Sequence, residues 1–329
     1  MTTKVFFATN RVVTGPADVL GSYSNGIVTP TDPAALTYGV AQVDGIDVDT
    51  NAQGTVTSLG DTNQGDFAAP VRSDLSTAGQ NLLVFVHGFD NTFSDALTRG
   101  AFNREWMAAS GIPSAAATVI AFSWPSLGRL VSTPVLQEDY LKDQAMAGQS
   151  GFHLMTFFSR LQPILDTVRQ RGQRTTLLAH SMGNHALEAA VESWFVHGNG
   201  EGLLFDDVVL AAADCRYDTF EHAQGVQMSG LDRLTGRTST YFSNVDQVLH
   251  LSQFVNLGAQ RLGQDGPRDK ADPAQYPGAR YRMVDCTLVR DYDVDFLNSH
   301  QYYRQSPSVR ADIAAAMGGL APPPAPAIV

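Results

Sequence analysis

From residue 81 onward the chain alternates between short unbroken apolar runs and longer stretches in which apolar residues recur every three to four positions. Runs at 82–86, 118–122, 175–179, 208–212 and 238–243 have the length and β-rich composition of buried strands. The stretches between them carry helical stripes. Phe93, Ala96, Leu97, Gly100 and Ala101 share one face behind Thr92 and Asp95, which have capping-box spacing. Ala186, Leu187, Ala190, Val191, Trp194 and Phe195 form a second stripe that Gly198 ends. A longer helical region covers about 137–171, with a break or kink expected near Pro163, and Val248, Leu251, Val255 and Leu262 are expected to face inward from a further helix. Strand followed by helix, repeated, predicts a mostly parallel central sheet with helices on both faces.

The ends of the chain read differently. Residues 4–8 form a strand, but 12–80 are rich in Gly, Asp, Thr, Asn and Pro, which predicts an N-terminal hairpin- and loop-rich segment with no helix longer than a turn or two. That segment either extends the sheet or covers part of a pocket as a lid. Residues 263–278 read as a loop, 281–288 as the last strand and 309–317 as a terminal helix. The chain is thus expected to be one unit over 1–320, with a catalytic core at 81–318 and a disordered Pro-rich tail at 321–329.

Composition narrows the classes. With 43% hydrophobic and 17% charged residues in 329, the chain is a globular protein with ample core. Net charge is −11, and residues 12–80 alone carry eight Asp against a single Arg72. Such acidity disfavours nucleic acid and anionic membranes as partners. No apolar run is long enough to span a bilayer, and the first eleven residues lack a signal-peptide pattern, so the expected location is cytoplasmic unless a signal peptide has been removed. Cys215 and Cys286 are expected to be free, buried thiols, because strands flanking a third strand lie too far apart for a bridge.

The candidate chemistry begins where the run 175–179 turns into a helix through His180, Ser181, Met182 and Gly183. A serine at such a corner, with small residues two positions before and after it, has the setting of a nucleophile elbow. Here those residues are Ala179 and Gly183, where the usual first residue is glycine. A serine can also cap a helix at such a place. As a nucleophile it needs a base and an acid. Of His185, His197, His222, His250 and His300, only His300 follows the last expected strand, as the order Ser, Asp, His requires. Asp246 closes the preceding strand, with Asp214 one strand earlier as its rival. The N–H groups of Phe89 and Met182 are the candidate oxyanion donors. His87, Gly88, His180 and Trp124 are candidate pocket-lining residues, the histidines more in keeping with loop shaping than with titration in catalysis.

This order resembles the α/β-hydrolase superfamily over about residues 82–300. Finer features are similar to one bacterial branch, a hydrolase family of unknown function: Ala8-Thr9-Asn10-Arg11, His87-Gly88-Phe89 with Asn91, Phe122-Ser123-Trp124-Pro125-Ser126, Ala179-His180-Ser181-Met182-Gly183-Asn184, Ser243-Asn244 with Asp246, Arg261-Leu262-Gly263, and Ser299-His300 with Tyr302. The resemblance implies an α/β-hydrolase fold and a serine hydrolase, most often an esterase.

The expected function is therefore cleavage of carboxylic esters of small molecules through an acyl-enzyme on Ser181, with no cofactor. Amidase, thioesterase or acyltransferase chemistry with the same triad, and a non-catalytic binding protein on this fold, are the alternatives. Asp47, Asp49 and Asn51 imitate the start of a calcium loop, but Ala52 and Ser58 stand where glycine and glutamate belong, so no metal site is expected.

Overall fold

The computed structural model describes residues 2–29, 32, 35–61, 68–78, 80–127, 135–221 and 227–320. The expected disordered tail, 321–329, and His222 lie outside them. In chain order the strands are β1 Thr2–Thr9, β2 Arg11–Val13, β3 Tyr23–Ile27, β4 Thr37–Asp47, β5 Ala52–Asp61, β6 Asn81–Val86, β7 Ala117–Ser123, β8 Thr175–His180, β9 Phe205–Ala211, β10 Thr235–Phe242 and β11 Tyr281–Asp285. The helices are α1 Ala68–Ala78, α2 Phe93–Ala108, α3 Val135–Gln149, α4 Gly151–Gln170, α5 Gly183–Val196, α6 Gln247–Val255, α7 Leu262–Asp265, α8 Tyr302–Gln305 and α9 Pro307–Met317.

Nine strands form one sheet in the order β11-β10-β9-β8-β6-β7-β1-β4-β5. Neighbours from β11 to β1 pair in parallel, whereas β4 and β5 add an antiparallel hairpin beyond β1. The polar N-terminal segment therefore extends the sheet through β4 and β5, while β2 and β3 form a separate two-stranded ribbon. Both faces of the sheet are covered, and alternate residues of each strand serve opposite cores. Leu82, Val84 and Val86 of β6 pack with α4 and α5 on one face, while Leu83 and Phe85 pack with α2 and α9 on the other. The expected capping box starts α2: Thr92 accepts the Asp95 N–H at 3.1 Å and Asp95 accepts the Thr92 N–H at 2.9 Å.

Three expectations need correction. Residues 68–78 form a three-turn helix within a segment expected to hold none longer than a turn or two. Among the described side chains of this helix Val71 and Leu75, one turn apart, are buried in the core, too short a stripe to be seen without the partner helix α4. The long helical region breaks at Ser150, and the helix continues unbroken through Pro163. There Gly151 passes so close to α5 that a Cβ would stand 2.4 Å from that of Ala189. Pro163 sits inside α4 on its solvent side, where water can take the freed carbonyl. The helix expected to run through Leu262 is split into α6 and α7, and Val248 and Leu251 turn toward the site rather than the core.

Candidate active site

The chain leaves β6 toward β7 on one side and returns to place β8 on the other, so the C-terminal ends of β6 and β8 border the point where strand order reverses. Such a reversal opens a crevice between diverging loops. The loop after β6 carries Gly88 and Phe89, and the turn after β8 carries Ser181.

Ser181 sits in the left-handed region at φ 54°, a strained conformation for a residue with a side chain. Backbone bonds hold it there: its N–H donates to Ala211 O and its carbonyl accepts from Asp214 N–H, both at 3.0 Å. The Asn184 amide adds bonds to Ala179 O and Ser181 O at 3.0 and 3.1 Å. The two small flanking residues differ in how strictly they are needed. A Cβ on Gly183 would lie 2.4 Å from His87 O, whereas the Ala179 methyl fits the core between β8 and the helices. The departure from glycine at the first position is thus accommodated.

The Ser181 hydroxyl donates to His300 Nε2 at 2.7 Å, and His300 Nδ1–H donates to Asp246 Oδ2, also at 2.7 Å. All three residues are buried. Asp246 is the N-cap of α6, its other oxygen accepting the Leu249 N–H at 2.9 Å. His300 rides on a 3-10 turn, Asn298–His300, tied to the same helix end by Gln247 N–H donating to Ser299 Oγ at 3.1 Å. Tyr302, two residues on, anchors the start of α8 to the sheet by donating to Tyr241 O at 2.8 Å.

Asp214 is elsewhere engaged. It accepts from Tyr140 at 2.7 Å and Ser252 at 2.5 Å, and it forms a buried ion pair with Arg261 at 3.4 Å. The Arg261-Leu262-Gly263 signature serves this neighbourhood: Gly263 N–H donates to Ala213 O, and its carbonyl accepts from Ser243 N–H.

A network behind the crevice fixes the loop after β6. Arg11, the first residue of β2, is buried and donates to Ser123 Oγ, Asn25 Oδ1 and Asn91 O at 3.1, 2.8 and 2.9 Å. Burial lowers its pKa to about 10, with Asp143 opposing. Asn91 donates to Gly88 O and Phe89 O, while its own N–H reaches Ser126 Oγ, which donates to Asp143. His87 stacks on Trp124 and accepts its backbone N–H through Nε2 at 3.1 Å, so the proton sits on Nδ1 and goes to Gly88 O at 2.9 Å. Burial takes the His87 pKa down to about 3. His87 and Trp124 are fully buried and brace the loop from behind, so neither lines the pocket as expected. Gly88 passes over Ser181 so closely that a Cβ would stand 2.7 Å from Ser181 Cβ. Among the described residues, neither Phe89 nor Met182 spends its backbone N–H on another group.

His180 does line the pocket. Its Nε2–H donates to His300 O at 3.1 Å, which leaves Nδ1 buried without a partner, and burial pushes its pKa well below the ordinary histidine value, with His300 adding to the shift. Two cavities meet at Ser181 and Phe89. One, about 190 Å³, gathers the charged and ring side chains of Asp90, Arg99, His180, His300 and Arg304 beside Val248 and Leu297. The other, about 20 Å³, is a slot bounded by Val248, Leu251, Val255 and Phe296. A larger cavity of about 530 Å³ near Phe220 and Tyr276 contains none of these residues.

Asp90, Arg99 and Arg304 were not foreseen. Charged residues at the edge of an apolar helical stripe read as solvated, and their convergence is tertiary. The calcium-like segment is the β4–β5 turn, where the Asp47 carboxylate accepts the N–H groups of Asp49 and Thr50. Among the described residues no cluster of three or more His, Cys, Asp or Glu could hold a metal ion, and no helix is long and apolar enough to cross a membrane. Cys215 and Cys286 are free and buried.

No curated protein sequence matches the chain. A cutinase-like protein from a Cryptococcus species resembles it in structure at 12% identity and a TM-score of 0.30, over 73% of this chain and 95% of that one, a likeness too loose to carry an argument. A family model described as an alpha/beta hydrolase of unknown function (DUF900) matches residues 63–316, and the chain belongs to that family.

Proposed function

We propose that this protein is a serine hydrolase that cleaves carboxylic esters of small molecules. The supporting observation is the run of two 2.7 Å hydrogen bonds from Ser181 through His300 to the buried Asp246. In this reading Ser181 attacks the ester carbonyl while His300 Nε2 takes its proton. Asp246 holds the imidazole with its other proton on Nδ1 and stabilises the imidazolium that forms. The N–H groups of Phe89 and Met182 receive the negative charge on the carbonyl oxygen. His300 then protonates the departing alcohol, and water, deprotonated by the same histidine, releases the acid from Ser181. The chemistry requires no cofactor.

The test is hydrolysis of p-nitrophenyl esters from acetate to long acyl chains by wild type and Ser181→Ala. Turnover that the substitution removes supports the reading, and turnover that survives it contradicts the reading. The same triad would also serve amides and thioesters, so a parallel panel of those substrates assigns the bond class.

A further inference from the structure

The wider cavity beside Ser181 holds two guanidinium groups that the triad chemistry does not use. Arg304, on α8, is 6% exposed, and the sole hydrogen bond of its guanidinium among the described residues is from Nε to Gln301 Oε1 at 2.8 Å. The side chain of Arg99, on α2, makes no hydrogen bond or ion pair among the described residues, and its Nε is buried without a partner. Both line the cavity with His180, Ser181 and His300. Two other buried arginines are neutralised, Arg261 facing Asp214 and Arg282 pairing with Asp312, and a third, Arg11, is held by hydrogen bonds to Ser123, Asn25 and Asn91. An unpaired cation out of water is unfavourable, and a second cation nearby makes it more so. Burial and Arg99 together take the Arg304 pKa down to about 10. Asp90 is the one carboxylate lining the cavity among the described residues. It forms no ion pair with either arginine, and burial pushes its carboxyl up to about 6, toward the neutral form, with Arg99 opposing. In a chain of net charge −11, this corner of the site is left cationic.

We infer that the substrate carries an anionic group, a carboxylate or its equivalent, received by Arg99 and Arg304. The cavity also assigns that group to one half of the ester. His300 lines the arginine cavity and not the apolar slot. The group that takes a proton from His300 is the leaving alcohol. The anion therefore lies on the alcohol half, and the slot bounded by Val248, Leu251 and Phe296 takes a small apolar acyl group. This inference rests on the serine-hydrolase reading.

The experiment compares two acetate esters of matched shape, one of 4-hydroxybutanoate and one of 4-methyl-1-pentanol, which differ by a carboxylate in place of an isopropyl group. Acetate release at low ionic strength gives kcat/KM for each. Wild type is expected to favour the charged ester at least tenfold. Arg99→Gln and Arg304→Gln should each lower that ratio about tenfold, as expected for loss of a charge-assisted pair. Arg99 is only half-buried, so its variant keeps the test valid if Arg304→Gln fails to fold. A wild-type ratio at or below one, or a ratio unchanged in the folded variants, overturns the inference. Labelling of Ser181 by a fluorophosphonate separates the two levels. A labelled serine with no preference for the anion refutes the anion site alone, whereas no labelling and no turnover of either ester refutes the hydrolase reading and this inference with it.

Discussion

Replacing Asp246 by Asn tests the relay without dismantling the fold. One carboxylate oxygen meets His300 Nδ1 at 2.7 Å, and the other caps α6 through the Leu249 N–H at 2.9 Å. An amide can serve one of these partners well. With its oxygen on Leu249 it remains a good cap, since Asn and Asp are nearly equal in that role. Its NH2 then donates to Nδ1, which forces the imidazole proton onto Nε2. Ser181 Oγ, 2.7 Å away, then meets an N–H instead of a lone pair. The opposite orientation keeps the tautomer but sets NH2 against N–H and forfeits a cap worth about 1 kcal/mol. The first orientation is therefore favoured. Its kcat/KM should fall on the order of 10⁴-fold, the loss expected when the base is held in the wrong tautomer. That is about 5 kcal/mol of transition-state stabilisation, while the melting temperature moves by no more than roughly 3 °C.

Asp214→Asn should behave in the reverse way. It strips the buried Arg261 of its counter-charge at 3.4 Å, which should cost about 3–5 kcal/mol of stability. Turnover per folded molecule should stay within tenfold of wild type. The assay is kcat/KM on the best p-nitrophenyl ester, with thermal melts on the same preparations. An Asp246→Asn protein that keeps more than a tenth of the rate, or a folded Asp214→Asn protein that loses it, refutes this reasoning.

Gly88→Ala places a methyl 2.7 Å from Ser181 Cβ and 3.0 Å from His180 O, so loop or nucleophile must move; kcat should drop roughly 10²-fold with about 1–3 kcal/mol lost in stability, and near-wild-type kinetics would contradict it. His87 is held neutral, its pKa about 3 against an ordinary 6.5, so the unfolded chain takes up a proton that the folded one refuses as pH falls through that window. Its contribution to stability is intact above about pH 6.5 and is lost below it at up to about 1.4 kcal/mol per pH unit. Urea midpoints at pH 6.5 and 5.5 should therefore differ less in His87→Gln than in wild type, and equal differences would refute the assignment. Cys215 and Cys286 are buried with thiol pKa values pushed up by burial, so neither should react with an aromatic disulfide reagent at pH 8 until the protein unfolds. Fast reaction of either thiol in the native state would contradict the packing.

Much of the site was legible because its parts fall where strands end. A buried run entering a helix through Ser181, with Gly183 beyond it, marks a turn that only a small residue permits, and the late His300 stands out by chain order. Chain order favours Asp246 over Asp214 but leaves Asp214 as a rival, since both close parallel strands. What separates them is spatial: Asp246 caps the helix beside the turn carrying His300, whereas Asp214 is enclosed by Tyr140, Ser252 and Arg261. The same limit hid α1, whose two core residues mean little without α4, and the break at Ser150, which arises from the close pass of Gly151 against α5. Arg99 and Arg304 were invisible for a related reason. Apolar periodicity locates the buried stripe of a helix but says nothing of which charged neighbours its edge brings into a cavity.

The central claim is that Ser181 carries the acyl group during turnover. Rapid acid quench during hydrolysis of an activated ester, followed by mass analysis of the proteolytic peptides, tests it directly. The account predicts the acyl mass on the peptide containing Ser181, formed within the first turnover and absent from Ser181→Ala. Full turnover with no adduct at any time point, or an adduct on another residue that persists in Ser181→Ala, would contradict it.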